Sequence, residues 1–513
     1  MVALLVDPSP YALDGSFGAG GAGISLSGLD NSIFNDGMIL GGDGGGLDAN
    51  GGAGVEILSG SVVENITNLG LMLGGAGFGS GFDGYGVQNY GGTLSTLANA
   101  QGGISGGGSV AGLTYSGNLP SLYDIILSSG TSYGELNVTD GVGVNQMTVG
   151  VSDLSADLST RFYASVITGV DATQMTNEGE AFTITNGVFG VVTGADVENH
   201  DIWDLRVWNF AADVVNPQQY VLQRNAANQR NALRYDCNMF AVNGSCVTST
   251  LRQVDAGDAY GVDGGTPQLQ GMVATAISLD PTLRIGGFVE FGGTQDNVPG
   301  VTFTSQGSTI GAFVGFGGNA DGTGLRTRIA ASYQSQTADI TRADPLANGS
   351  FNSGSTSFAS YGVTAEVNWA KTLGSNATLT PYLGVVATQA SRASYQESNG
   401  EDPIAFGTFT ESQVTGTAGL RFDGMVAQNV TYRIGAGIEQ DLSHSLSGFD
   451  VTNSWIDTTY QGLETSSATR FLGQVGMSYL LAPNQELTID GQVNQFGENS
   501  TDYALSVGFR LGY

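Results

Sequence analysis

Basic residues are nearly missing from the N-terminal part of this chain. Before position 201 Arg161 is the only one, against nineteen acidic residues, and the whole chain of 513 residues carries a formal charge of −31. A surface of that sign repels phosphate, which excludes a nucleic-acid partner. Charged residues of both signs together make up 12% of the chain, against the ~25% usual in a soluble domain. Long apolar runs are absent too. None approaches the roughly 18 to 20 residues of a spanning helix, so a membrane could be crossed only by strands. With 11 prolines and no three-residue glycine period, collagen is excluded. Two cysteines make no disulfide framework and do not by themselves fix the compartment. The N-terminus, Met1-Val-Ala-Leu-Leu-Val-Asp7, has neither the basic flank nor the apolar core of a signal peptide. Either the sequence begins downstream of one or the chain is not exported.

Glycine is abundant, at 81 residues, and 41% of the chain is hydrophobic, with 19 Tyr and 23 Phe. That much apolar mass excludes disorder. The glycines of residues 20–108 are organised in a degenerate repeat. Gly20-Gly-Ala-Gly leads to Asn35-Asp-Gly-Met-Ile-Leu, then Gly51-Gly-Ala-Gly leads to Asn68-Leu-Gly-Leu-Met-Leu, an offset of about 31 residues, and a fainter copy starts at Gly84. Short apolar strands between Gly, Asn and Asp turns at such a period predict the stacked coils of a right-handed parallel β-helix. Residues 116–215 lose the glycine repeat and alternate as strands rich in Tyr and Trp, which predicts a β cap over the open end of the stack.

Asn216-Pro217 predicts a helix start, with Asn216 as N-cap, and Gln218–Tyr235 contains no glycine. This helix is polar almost all round, which suits a wet cavity rather than a core surface. Twelve strands of period two follow, near 246–255, 268–279, 282–293, 308–317, 324–338, 358–373, 377–393, 412–426, 429–443, 467–481, 485–496 and 503–513. In the last, Tyr503, Leu505, Val507, Phe509 and Leu511 alternate with Ala504, Ser506, Gly508 and Arg510. One face of such a strand meets oil and the other water. Short turns alternate with long polar loops at 294–307, 339–357, 394–411 and 444–466, the rim asymmetry of an outer-membrane barrel. The expected fold is therefore all-β: a parallel β-helix, a short polar helix, and a 12-stranded antiparallel transmembrane β-barrel.

This order resembles the bacterial autotransporters of type V secretion. The most specific motif is the C-terminal signal read by the barrel assembly machinery: a polar residue, any residue, Gly, two of any kind, an apolar residue, any residue and a final aromatic. Ser506, Gly508, Leu511 and Tyr513 match it. The resemblance implies residues 1–115 as β-helical passenger, 116–215 as a cap like the autochaperone region, 216–236 as a linker helix in the barrel lumen, and 237–513 as the barrel. It further implies residence in the outer membrane of a Gram-negative bacterium, with lipid, the barrel assembly machinery and periplasmic chaperones as partners. The passenger would stand outside the cell, where an adhesive contact with a host or neighbouring-cell ligand is compatible with its repeats. The alternative is an outer-membrane pore whose N-terminal region is not secreted.

By that resemblance Arg224, Arg230 and Arg234 of the helix face inward carboxylates such as Glu290, Glu366, Glu439 or Asp490; the alternative is a solvated interdomain helix. Some relatives cut themselves at an Asn-Asn bond in the lumen; the helix offers Asn225, Asn228 and Asn231 but no such pair, so cleavage there is not expected. Cys237 and Cys246 span a short loop before the first strand and are expected to form a disulfide if exported, with free thiols as the alternative. His444 falls in a long loop and is expected to be solvated. Neither an enzyme, a cofactor nor a metal is expected. No Walker motif occurs, the glycine-serine stretches at 79–81 and 102–108 read as coil turns rather than as a nucleophile elbow, Arg161 alone could neutralise a lyase substrate, and the calcium-like stretches Gly41–Asp48 and Gly79–Asp83 lack a ligand Asp at Gly46 and read as turns.

Overall fold

The computed structural model describes residues 18–512 apart from 106–107, 141–144, 196–200, 238, 241–243, 256–257, 259–261, 263–267, 281, 293–297, 306, 320–322, 345–350, 375, 401–402, 463–467 and 497–499. Two compact units divide near Phe210.

In the first unit, successive coils add one strand each to parallel sheets. Ile24–Leu26, Val55–Ile57, Val87–Asn89, Leu113–Gly117 and Leu136–Asp140 line one face. Asn31–Asn35, Val62–Asn68, Thr93–Asn99, Leu122–Ile125 and Thr148–Val151 line another. Met38–Leu40 pairs Leu71–Leu73 on a third. Ile24 lies beside Val55 and Val55 beside Val87, the register of the sequence repeat. Val55, Ile57, Ile66, Met72, Val87, Leu97 and Leu113 are fully buried between the faces. The glycine repeats lie where coil packs on coil through backbone alone, and a Cβ on Gly51 would stand 1.9 Å from the carbonyl oxygen of Gly75.

Parallel pairing continues across residue 115. Beyond it Tyr115 and Tyr123, both fully buried, take over the packing that glycine and aliphatic residues provide earlier. In the main sheet the pairing turns antiparallel where Arg161–Thr168 meets Ile202–Asn209, followed by Val188–Gly194 and Ala181–Thr185. Trp203 and Trp208 are fully buried there, and the Trp203 Nε1–H donates to the Val170 carbonyl at 2.7 Å.

Polar residues stitch the coils together. Asn35 Nδ2 donates to Asn68 Oδ1 at 2.8 Å, Asn68 Nδ2 donates to Asn99 Oδ1 at 2.9 Å, and Asn99 Nδ2 donates to the Tyr123 hydroxyl at 3.3 Å. Asn68 and Asn99 are fully buried. The turn acids act alike at the surface. Asp43 accepts from the Ala76 N–H and Asp83 from the Gly77 N–H, both at 2.8 Å. The hydroxyl and N–H of Ser80 hold the Asp48 carboxyl below its usual range.

The second unit is a closed antiparallel barrel of twelve strands: β1 Ser245–Asp255, β2 Gln268–Asp280, β3 Leu283–Gly292, β4 Thr309–Gly317, β5 Gly324–Ala343, β6 Phe351–Leu373, β7 Ala377–Arg392, β8 Phe409–Ala427, β9 Val430–Leu446, β10 Thr469–Ala482, β11 Gln485–Phe496 and β12 Ser500–Gly512. Each pairs with the next, and β12 closes on β1 from Asp255 beside Tyr503 to Cys246 beside Gly512. The alternation in sequence is the alternation of faces: Ile285, Val289, Val363, Val367, Ile434, Ile438, Leu505 and Val507 are exposed on the outside, whereas Glu290, Glu439 and Ser506 are buried inside.

The long loops hold more structure than their polar composition suggests. Tyr395–Gln396, Ala405–Phe406, Phe449–Thr452 and Asp457–Tyr460 form a four-stranded antiparallel sheet. Its core is Tyr395, Phe406, Phe409, Phe449 and Tyr460, all buried. These aromatics are spread among Gly, Asn and acidic residues, so no periodic run announces them. The loop expected at 339–357 shrinks because β5 and β6 run on as a hairpin to Ala343 and Phe351.

Replacing Asn68 by Leu removes the shared partner of two buried amides. Each stranded group costs about 1–3 kcal/mol, so urea unfolding of the first unit, followed by Trp203 and Trp208 fluorescence, should show a lower midpoint at unchanged slope.

Candidate functional site: the helix within the barrel lumen

The helix α1 spans Asn216–Ala232 and is preceded by a π-helical turn at Ala211–Val215. Asn216 is therefore not the N-cap. Val215 holds that place in helical conformation and makes no side-chain cap. Pro217, which has no N–H to give to the preceding turn, stands where the wide turn passes into regular helix. The helix regularly ends at Ala232, three residues short of Tyr235.

Every α1 residue from Pro217 to Arg230 is buried, the polar ones included. Their partners come from strands all round the barrel, so the helix lies in the lumen. Arg224 Nη1 meets Asp502 Oδ2 on β12 at 2.6 Å. Gln229 Nε2 donates to the Ser360 hydroxyl on β6 at 2.8 Å, and Gln336 Nε2 on β5 donates to Asn225 Oδ1 at 3.2 Å. Arg392 on β7 donates from Nε to Gln218 Oε1 at 2.9 Å. The wall makes room at Gly362, where a Cβ would lie 2.8 Å from Leu233 Cδ1.

The densest cluster surrounds Glu439 on β9. Arg234 Nη2 is 2.5 Å from its Oε1, and Arg230 Nε and Arg470 Nε are 3.8 and 3.5 Å from its Oε2. Arg470 also donates to Asp441 Oδ2 at 2.8 Å, and Arg230 donates to Gln413 Oε1. At the end of the helix the Arg328 guanidinium donates to the carbonyls of Leu233 and Tyr235. It thereby satisfies the last turn where a cation favours the helix dipole.

Of the carboxylates expected to receive the helix arginines, Glu439 does so for Arg230 and Arg234. The others serve the wall: Glu366 is held by Arg421 at 2.9 Å, and Asp490 and Glu290 pair with no helix arginine in the described structure. Asp502 takes Arg224 instead, because it faces inward one strand turn above Ala504 at the seam. Arg328 and Asp502 carried only one signal in the sequence, their inward parity. Past the last turn of the helix lies a cavity of about 370 Å³ lined by Arg252, Arg284, Arg421, Arg433 and Arg510 among others. Arg284 pairs there with Asp236 at 2.8 Å and Arg433 with Asp423 at 2.8 Å.

Cys237 and Cys246 are joined as a disulfide, Cα atoms 5.9 Å apart, tying the segment after the helix to the first residues of β1. His444 is not a solvated loop residue. It lies on β9, which extends to Leu446, and its Nε2 meets the Glu411 carboxylate inside the barrel. In the terminal motif, Gly508 sits between Thr250 and Thr488, where a Cβ would approach their hydroxyls to 3.1 and 2.6 Å. Ser506 Oγ donates to the Asp490 carbonyl at 3.3 Å, and Leu511 pairs with Val247 and Gln485. Tyr513 lies outside the described residues.

Glu439→Ala leaves three arginines around a missing carboxylate. Breaking a buried pair costs about 3–5 kcal/mol, so the folded barrel should convert to its unfolded gel mobility at a lower temperature than the parent. Deleting Pro217–Tyr235 should raise single-channel conductance in planar bilayers severalfold, since the helix fills the lumen.

The sequence profile of the autotransporter beta-domain matches residues 243–492. No curated protein matches the sequence. Among solved structures, the translocator domain of the autotransporter NalP from Neisseria meningitidis is 15% identical, with TM-score 0.44, over 59% of this chain and 99% of that one. The beta domain of the Bordetella autotransporter BrkA is 13% identical, with TM-score 0.35, over 53% and 99%. The transport unit of AIDA-I from Escherichia coli is 11% identical, with TM-score 0.31, over 58% and 99%. Residues 243–492 are thus an autotransporter beta-domain, a barrel of the outer membrane.

Proposed function

We propose that the barrel translocates the N-terminal solenoid of its own chain and then anchors it at the cell surface. The observation that carries this reading is the path of α1. Its first turn touches Arg392 at the long-loop end of β7, and its last turn leads through the disulfide to the short-turn end of β1. The first turn of α1 thus lies at the long-loop rim, which faces outward in barrels of this kind. The last strand of the first unit ends at Asn209, just before the π-helical turn that leads into the helix. A lumen filled by the chain's own helix suits a display device better than an open channel.

No nucleotide motif supports an energy-coupled step. Stacking of coils outside the cell supplies the driving force in this reading, each new coil burying apolar residues and extending the asparagine ladder. The terminal strand, through Ser506, Gly508, Leu511 and Tyr513, is the element offered to the barrel assembly machinery, after periplasmic chaperones have kept the chain unfolded. Adhesion is the reading of the solenoid that a specific observation favours: Leu47, Phe78 and Phe82 on neighbouring coils are 83%, 56% and 76% exposed, and repeated apolar side chains suit multivalent contact.

Protease added to intact cells tests the arrangement. Fragments from residues 20–209 should be released while the barrel fragment persists. Cleavage of the solenoid only after permeabilising the outer membrane would overturn it.

A further inference from the structure

The outer wall of the barrel carries a recess that its own side chains leave unfilled. On the outward face, Val475, Gly491, Leu505 and Gln253 stand side by side across β10, β11, β12 and β1. In the adjoining row Gly473 stands beside Val493, and Val493 beside Tyr503. The depression between these rows has a volume of about 660 Å³, within the ~300–1,000 Å³ of sites that bury a small molecule.

Steric need does not explain its two glycines. Neither has a positive φ. A Cβ on Gly473 would meet nothing closer than Val493 Cβ at 4.0 Å, and one on Gly491 nothing closer than Val475 Cγ1 at 3.7 Å. Two other outward glycines are roofed by an aromatic ring: a Cβ on Gly271 would fall 2.3 Å from Phe291, and one on Gly424 2.5 Å from Tyr432. At Gly473 and Gly491 no ring of the chain covers the gap, although Val475, Val493 and Leu505 around it are 62%, 43% and 57% exposed.

We propose that this recess is a lipid site that takes one acyl chain of the leaflet at the long-loop rim. It lies within the lipid-facing belt and continues that interface inward, so hydrocarbon is what reaches it, and an empty dry groove in hydrocarbon forfeits contacts on one side. Its mouth toward the rim is polar. The exposed side chains of Gln253 and Asp255 and the Tyr503 hydroxyl stand at the level where a head group meets water. A chain seated between β10 and β1 would also bridge the seam at which β12 closes on β1.

The full-length protein, reconstituted in phosphatidylcholine vesicles doped with a phospholipid bearing a mid-chain diazirine, is irradiated and its peptides mapped by mass spectrometry. Val475, Val493 and Leu505 should be labelled several-fold more than Leu383 and Val363, which are exposed to a similar degree on other strands. The Gly473→Leu/Gly491→Leu variant should fall to the level of those reference sites, and the milder Gly491→Ala should lie between. Heat-modifiable gel mobility checks that each variant folds. Uniform labelling of the native wall overturns the proposal whether or not the leucine variant folds. Crosslinks from these positions to a second copy of the chain also overturn it, since the occupant would then be protein.

Discussion

A sheet in hydrocarbon has to close on itself, since each unpaired N–H or C=O at an edge costs several kcal/mol with no water to relieve it. The pairing of β12 with β1 meets that demand, and much of the second unit follows from it. Closure fixes which parity of each strand faces lipid. The other parity is driven inward together with all its polar side chains, in a space too narrow to be left to bulk water. Glu290, Arg328, Arg392, Glu439 and Arg470 are all buried there, and each buried charge needs a partner.

The helix is part of that answer. With a polar surface on every side it could not rest on an apolar core, but inside the barrel its amides and guanidinia meet hydroxyls and carboxylates of the wall. Glu439 shows the mutual dependence. Two of its arginines come from the helix segment and one from β10, so the wall holds the helix and the helix neutralises the wall. At the other end the Arg392 guanidinium lies 4.9 Å from the Tyr395 ring and 5.4 Å from the Phe449 ring while binding Gln218. The aromatic sheet of the loops is thereby joined to the first turn of the helix.

The first unit solves the same problem of burial by repetition. Its coils are joined by backbone bonds between parallel strands, and the polar positions that must turn inward, Asn35, Asn68 and Asn99, satisfy one another from coil to coil. The acids that make the N-terminal part so negative are spent on the outside, where Asp43, Asp48 and Asp83 accept from backbone or hydroxyl donors of nearby turns. The aspartates whose spacing resembles a calcium repeat accept hydrogen bonds from these turns.

The twelve barrel strands were legible in number and in facing, though not in length, because period-two alternation is a local property: Tyr503 to Leu511 cannot be placed with one face in oil and one in water except as a strand. The solenoid period was legible for a like reason, as the glycines at Gly20 and Gly51 recur where backbone must touch backbone. Helix-forming sequence from Gln218 and its all-round polarity suited a wet cavity, while its place in the lumen was implied only by the resemblance to autotransporters. What the chain could not state locally was who meets whom. Asp502 rather than Asp490 receives Arg224, Arg328 caps the helix, and His444 turns inward to Glu411, because barrel closure brings together residues far apart in sequence. The loop sheet was hidden likewise, its aromatics scattered singly until tertiary contact gathers them. Alternation and repeat thus fixed the elements from within the sequence, while only the closed barrel, by setting stagger and facing, decided the partners of its buried charges.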